Sequence, residues 1–240
     1  MAKHSYEYSI YIGRFQPIHY GHLKSIQLAL NTAEKLIIII GSFRSSPSLK
    51  NPWTAEERKK MILNSINKKD KKRISFIFLR DRFYHEDFWK KNLLHEVKTH
   101  THNSESVCII GHEKDHTSYY LRLFPQFPFL ETGNYKNMNA TDFRSTYFFD
   151  KKTNYSAIPK TLISFLKKFK SSKRFLKIKD DYTLDKHEIN NTTLFHNSNL
   201  KELVYSTFLF IYGPYIAIIK RNNKPFKNNY TLPIRLTEKR

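Results

Sequence analysis

A single cysteine, Cys108, occurs in 240 residues, so no intramolecular disulfide can form and a secreted disulfide scaffold is excluded. Long apolar runs are also missing. The longest clean aliphatic run is Leu36 to Ile40, and the stretch from Phe208 to Ile219 is broken by Gly213-Pro214. Both fall short of the about 20 residues that a bilayer crossing needs. No charged-then-apolar leader opens the chain, and the expectation is a soluble cytoplasmic protein with no membrane partner. Acidic residues are scarce, with 21 Asp+Glu against 42 Lys+Arg for a formal charge of +21. Such a charge suits an anionic partner. The lysines are nevertheless scattered through residues 68–73, 90–91, 167–177 and 220–227. RNA binding driven by charge alone lacks a basic–aromatic cluster or a known module, so no specific nucleic acid is expected. Apolar residues at 40% and aromatics at 15% suffice for a packed core and exclude a wholly disordered chain.

Glycine is rare and its placement is informative. Of the six glycines, three close apolar, β-branched runs: Tyr8 to Ile12 before Gly13, Leu36 to Ile40 before Gly41, and Val107 to Ile110 before Gly111. Runs apolar on every residue fit strands buried on both faces of a parallel sheet. Helical patterns lie between them, at Leu23 to Glu34, from Thr54 to about Ser65, and roughly from Asp87 to Thr99. Thr54 and Glu57 form a capping box that opens the second of these. Ile74 to Leu79 supplies another strand. The order β-α-β-α-β-α-β predicts a doubly wound, Rossmann-like α/β layer. Ligands of such sheets bind at the carboxyl ends of the strands, where glycine allows close approach.

Neither the G-x-G-x-x-G dinucleotide fingerprint nor the G-x-x-x-x-G-K-[ST] phosphate loop is present. Phosphate must be held by other means. The first strand leads into Gly13-Arg14-Phe15-Gln16-Pro17-Ile18-His19-Tyr20-Gly21-His22. Pro17 stiffens this loop, and Gly21 opens the helix without a side chain in the way. His19 and His22 sit three apart at the helix amino end, where free N–H groups and the positive dipole end attract anions. Two imidazoles there can donate hydrogen bonds to phosphate oxygens.

That ten-residue string, with four further stretches, resembles the archaeal-type nicotinamide-mononucleotide (NMN) adenylyltransferases of the H-x-G-H nucleotidyltransferase superfamily. The likeness is nearest to the transferase part of bacterial bifunctional proteins that join it to a Nudix hydrolase. The other stretches are Gly41-Ser42 with Lys50 to Arg58; Arg80-Asp81 with Trp89; Gly111-His112, Lys114-Asp115, Ser118 to Tyr120 and Phe124-Pro125; and Asn139 to Arg144, similar to the family's S-[ST]-T-x-x-R. The resemblance implies transfer of AMP from ATP to NMN, giving NAD and pyrophosphate, with magnesium accompanying ATP. It implies catalytic roles for His19, His22 and Arg144. It places Gly13, Arg14, Phe15, Gly21, Lys50, Gly111 and Thr141 at ATP, and Gly41, Ser42, Asp81 and Trp89 at NMN. No protein ligands for the metal are expected, and a homo-oligomer is left open. Trp89 also fits as a plain core aromatic, Lys50 as a solvated charge, and Arg58 as a surface or structural residue. Other superfamily members share H-x-G-H with different acceptors, so the acceptor rests on the remaining stretches.

His112-Glu113-Lys114-Asp115-His116 also satisfies H-E-x-x-H, with Glu131 downstream, and a zinc hydrolase using His112 and His116 is the alternative of a different class. The motif needs a regular helix, whereas Gly111 ends a strand immediately before it. The expected organisation is a nucleotidyltransferase domain at 1–170, a polar linker at 171–200 with one poor helix, and a truncated Nudix-like β remnant at 201–240. A helix is expected from Ile158 to Phe169 with Pro159 in its first turn. In the remnant, strands are expected over Leu203 to Tyr212, Tyr215 to Arg221 and Asn228 to Pro233. Leu232-Pro233-Ile234-Arg235 stands where Nudix relatives show leucine-proline-glycine-glycine, and the glutamate-bearing Nudix box is absent. No ADP-ribose pyrophosphatase activity is expected.

Overall fold

The computed structural model describes residues 4–81, 86–112, 124–133, 135, 138–150 and 152–191, then the short segments 203–207, 211–212, 215–216, 219–220, 230–231 and 234–238. The chain divides into two compact units, Met1–Ser172 and Lys173–Arg240. In the first, five strands form one parallel sheet: β1 (Tyr6–Gly13), β2 (Ala33–Ile40), β3 (Ile74–Phe78), β4 (Val107–Gly111) and β5 (Phe129–Glu131). Their spatial order is β3-β2-β1-β4-β5, the Rossmann-like arrangement expected. The chain builds outward from β1 to β3, then crosses β1 to lay down β4. That reversal makes the carboxyl ends of β1 and β4 the switch point where doubly wound sheets take ligands.

Alternation along the strands fills both sheet faces. Tyr8, Ile10 and Ile12 of β1 join Ile37, Ile39, Ile77 and Ile109 in one cluster with Leu93 and Val97 of α4 (Glu86–His100). On the other face Ser9 is buried and its hydroxyl donates to the Ala29 carbonyl of α1 (Tyr20–Thr32). The expected first helix reached Glu34, but Ala33 already pairs with Tyr6 as a strand residue, so α1 stops at Thr32. In α2 (Ala55–Asn64), Thr54 caps the Glu57 N–H and the Glu57 carboxylate accepts from the Thr54 N–H, the reciprocal box expected there.

Two elements of the first unit were not foreseen, and in the second neither was the strand Ile234–Glu238. The lysine-rich run after α2 contains a short helix, α3 (Lys68–Lys71), capped by Asn67. The three-residue β5 closes the sheet edge. Late in the unit come α5 (Ala140–Phe149) and α6 (Lys160–Lys170), with Pro159 as N-cap rather than inside the first turn. They meet where the Tyr147 hydroxyl donates to the Leu166 carbonyl at 2.6 Å and Trp53 packs against Tyr147 and Phe169. This packing fixes α5, and with it Arg144.

The second unit holds α7 (Lys173–Asn191), within the stretch read as a linker, and three short antiparallel pairs. These are β6 (Leu203–Thr207) with β11 (Ile234–Glu238), β7 (Ile211–Tyr212) with β8 (Tyr215–Ile216), and β9 (Ile219–Lys220) with β10 (Tyr230–Thr231). Gly213-Pro214 and Leu232-Pro233 lie outside the described residues. Among the described residues no helix is long and apolar enough to cross a membrane.

Candidate active site

The loop leaving β1 ends in an N-cap made of imidazoles. His19 is the N-cap of α1, and its Nδ1 accepts from the His22 N–H at 3.4 Å. His22 Nδ1 accepts in return from the His19 N–H at 3.2 Å. The pair thus does the work of a Ser/Thr–Glu capping box. A nitrogen that accepts from a backbone N–H carries no proton, so both neutral rings hold theirs on Nε2, as donors. The rings stack at 3.7 Å, and Phe15 lies 5.0 Å from His22. Burial, then the neighbouring His19, hold His22 well below the ordinary imidazole value. At neutral pH His22 is therefore a neutral hydrogen-bond donor.

Two glycines make this arrangement possible. A Cβ on Gly21 would meet His19 Cε1 and Nδ1 at 3.0 Å, so the glycine leaves room for the capping ring. At Gly13 a Cβ would come within 2.9 Å of the Phe15 ring, which folds back over the strand end. Phe15 is buried at φ 52°, in the left-handed region that a bulky residue rarely adopts. The immediate reason for Gly13 is thus Phe15.

Arg144, one turn into α5, reaches the same loop. Its Nη1 donates to the Gln16 carbonyl at 2.7 Å and its Nη2 to the Thr141 hydroxyl at 3.2 Å. Its Nε is buried without a hydrogen-bond partner. Burial, then exposed Arg14, push Arg144 down to about 10, so it stays charged at neutral pH. A buried guanidinium facing another cation, with an orphaned donor, is a site that favours an anion.

The ends of β2 and β3 form the other side. Ser42 donates to the Asp81 carboxylate from its N–H at 3.2 Å and its hydroxyl at 2.7 Å. Gly41 donates to the Gly13 carbonyl at 3.0 Å, and a Cβ there would find its nearest atoms at 3.8 and 3.9 Å. Lys50 is exposed between β2 and α2. Trp89 is partly buried and packs against the sheet cluster, 6.5 Å from Phe124, at the edge of the core. Gly111 is buried and pairs with Glu131, whose carboxylate lies 3.5 Å from Nδ1 of His112. Glu113 to Tyr120, including Lys114, Asp115 and His116, lie outside the described residues.

Two further residues tie these parts together: Gln16, to which no role was assigned, and Arg58, read as a surface or structural residue and found to be structural. The Gln16 side chain accepts from the Trp53 N–H at 3.2 Å and donates to the Trp53 carbonyl at 2.9 Å, joining the first loop to the second. Arg58 is 1% exposed and bonds four backbone carbonyls. Its place was legible: Ala55, Arg58 and Ile62 share helical spacing, and all are buried.

Residues 10–146 match the family model of cytidylyltransferase-like proteins. The nicotinamide/nicotinic acid mononucleotide adenylyltransferase of Acinetobacter baylyi is 38% identical over 180 residues, covering 75% of this chain and 95% of that relative. The chain belongs to the nicotinamide-nucleotide adenylyltransferase family. An archaeal member, from Sulfurisphaera tokodaii, is 32% identical over 178 residues, 72% of this chain and 99% of its own. Among solved structures, a bifunctional NMN adenylyltransferase/ADP-ribose pyrophosphatase from Francisella tularensis, complexed with AMP and a manganese ion, is similar at 32% identity. Its TM-score is 0.82, over 97% of this chain and 68% of that one. The family match over residues 10–146 includes both histidines and Arg144, which the zinc-hydrolase alternative does not account for.

Proposed function

We propose that the carboxyl edge of the sheet transfers AMP from ATP to NMN, releasing pyrophosphate and forming NAD. A 5′-phosphate oxygen of NMN attacks the α-phosphorus, and the bond from that phosphorus to the bridging oxygen breaks as pyrophosphate leaves. The attacking oxygen is already anionic, so neither a general base nor a covalent nucleophile is required. What the chain must supply is in-line positioning and donors for the growing charge. His19 and His22 donate from Nε2 to phosphate oxygens, and Arg144 clamps the β- and γ-phosphates beside Thr141. Gly13, Arg14, Phe15, Gly21, Lys50 and Gly111 border ATP, and Gly41, Ser42, Asp81 and Trp89 border NMN.

One observation carries the reading. Arg144 is hydrogen-bonded to the very loop whose two imidazoles cap α1, which supports a guanidinium and two imidazole donors acting on one anion. Among the described residues no group of three or more His, Cys, Asp or Glu could hold a metal ion. No residue ligands are therefore assigned. Magnesium would enter on the phosphates of ATP, held largely by phosphate oxygens and water.

The test is incubation with ATP, magnesium and either NMN or nicotinic acid mononucleotide, with products resolved by chromatography. NAD or its acid analogue with equimolar pyrophosphate is expected. Consumption of neither substrate would refute the proposal.

A further inference from the structure

Arg58 sits beneath the site rather than in it. Its guanidinium binds three separate segments. Nη1 donates to the Arg14 and Gly41 carbonyls, both at 2.7 Å, Nη2 to the Ser42 carbonyl at 3.2 Å, and Nε to the Thr54 carbonyl at 3.2 Å. Four of its five N–H donors are thereby used on backbone, from the β1 loop, the end of β2 and the N-cap of α2. No lysine or amide side chain offers a rigid planar fork of that reach.

The bonded carbonyls are not ordinary ones. Phe15 and Ser42 both have φ 52°, a left-handed conformation that costs non-glycine residues energy and persists only where the surroundings hold it. Arg58 takes the carbonyl just before Phe15, and those just before and at Ser42. In a planar trans peptide the C=O and N–H point in opposite directions. Drawing the Gly41 carbonyl onto Arg58 therefore turns the Ser42 N–H the other way, where it meets Asp81 at 3.2 Å. The Arg14 carbonyl likewise sends the Phe15 N–H away from Arg58.

We infer that Arg58 is a positioning residue for adenylyl transfer: it locks the two left-handed turns at the ends of β1 and β2 in register, and so sets the distance between the ATP and NMN sides of the crevice. This inference rests on the function proposed above. It touches neither substrate. Its loss would loosen the spacing between the reacting groups more than the affinity for either one, and a displacement of 1 Å can cost about 10²-fold in rate.

The experiment is steady-state kinetics of wild type and Arg58→Lys, well below the melting temperature of each, with folding checked by circular dichroism. Arg58→Gln, which removes the buried charge, is the second variant if the lysine protein does not fold. The expected result is kcat lower by about 10²-fold with KM for ATP and NMN changed far less. A folded variant that melts earlier but keeps the wild-type kcat overturns the inference and leaves Arg58 a stabilising residue. So does failure of both variants to fold, or a loss confined to KM. A wild-type protein that makes no NAD would instead refute the function itself.

Discussion

Replacing Gly21 with alanine separates the folding role of the imidazole cap from its chemical role. Two effects on stability oppose each other. Alanine in a helix is favoured over glycine by about 1 kcal/mol. The new Cβ would stand 3.0 Å from Cε1 and Nδ1 of His19, closer than carbon and nitrogen atoms pack, so the ring must move by a few tenths of an ångström. The 3.4 Å bond from the His22 N–H to that Nδ1 is already long and would be lost. Losing an N-cap bond costs about 1 kcal/mol. The terms nearly cancel, so the melting temperature should stay within about 4 °C of wild type. Activity has no such compensation, because the displaced ring takes its Nε2 donor with it. Loss of one donor to developing charge costs about 10²–10³ in kcat. Thermal melting and NAD formation on the same preparation test this. A folded Gly21→Ala protein with wild-type turnover would refute the claim that the glycine exists to seat His19.

Other substitutions probe neighbouring parts of the site. His22→Ala should fold and lose at least about 10² in kcat, read by NAD formation, because one phosphate donor is gone. Gly41→Ala has room within the protein, so its melting curve should be unchanged. If NMN passes over that strand end, its KM should rise about tenfold, near 1.4 kcal/mol. Acidification should act through His22. The unfolded chain binds a proton near pH 6.5 that the folded site refuses. The stability from this residue is therefore full above that pH and is lost as pH falls toward the depressed folded value. His22 should accordingly contribute no acid limb to the rate at the ordinary imidazole value, and long-range nitrogen NMR should find its Nε2–H tautomer near neutrality.

The strands that position the site were legible because β1, β2 and β4 carry apolar runs that each lead into a glycine. The histidines were legible from their spacing at a helix start. Their mutual capping was not, since an imidazole is a rare N-cap and its accepting nitrogen is decided only by ring orientation. The strand β5 escaped notice because Phe129-Leu130-Glu131 is too short to show a period. The helix α3 was hidden among lysines, though Asn67 and Asp70 formed a readable cap. The partners of Arg58 and Gln16 resisted for another reason. A polar side chain whose partners are backbone groups from distant segments leaves no pairing signal in the sequence, and such partners emerge only when the loops have been brought together.

The most direct measurement of the whole account is a crystal structure of the full chain with magnesium and a non-transferable ATP analogue. Nε2 of His19, Nε2 of His22 and the Arg144 guanidinium should all lie within hydrogen-bonding distance of the same triphosphate, beside the ends of β1 and β4. A triphosphate bound elsewhere, or one met by the guanidinium but by neither imidazole, would contradict it.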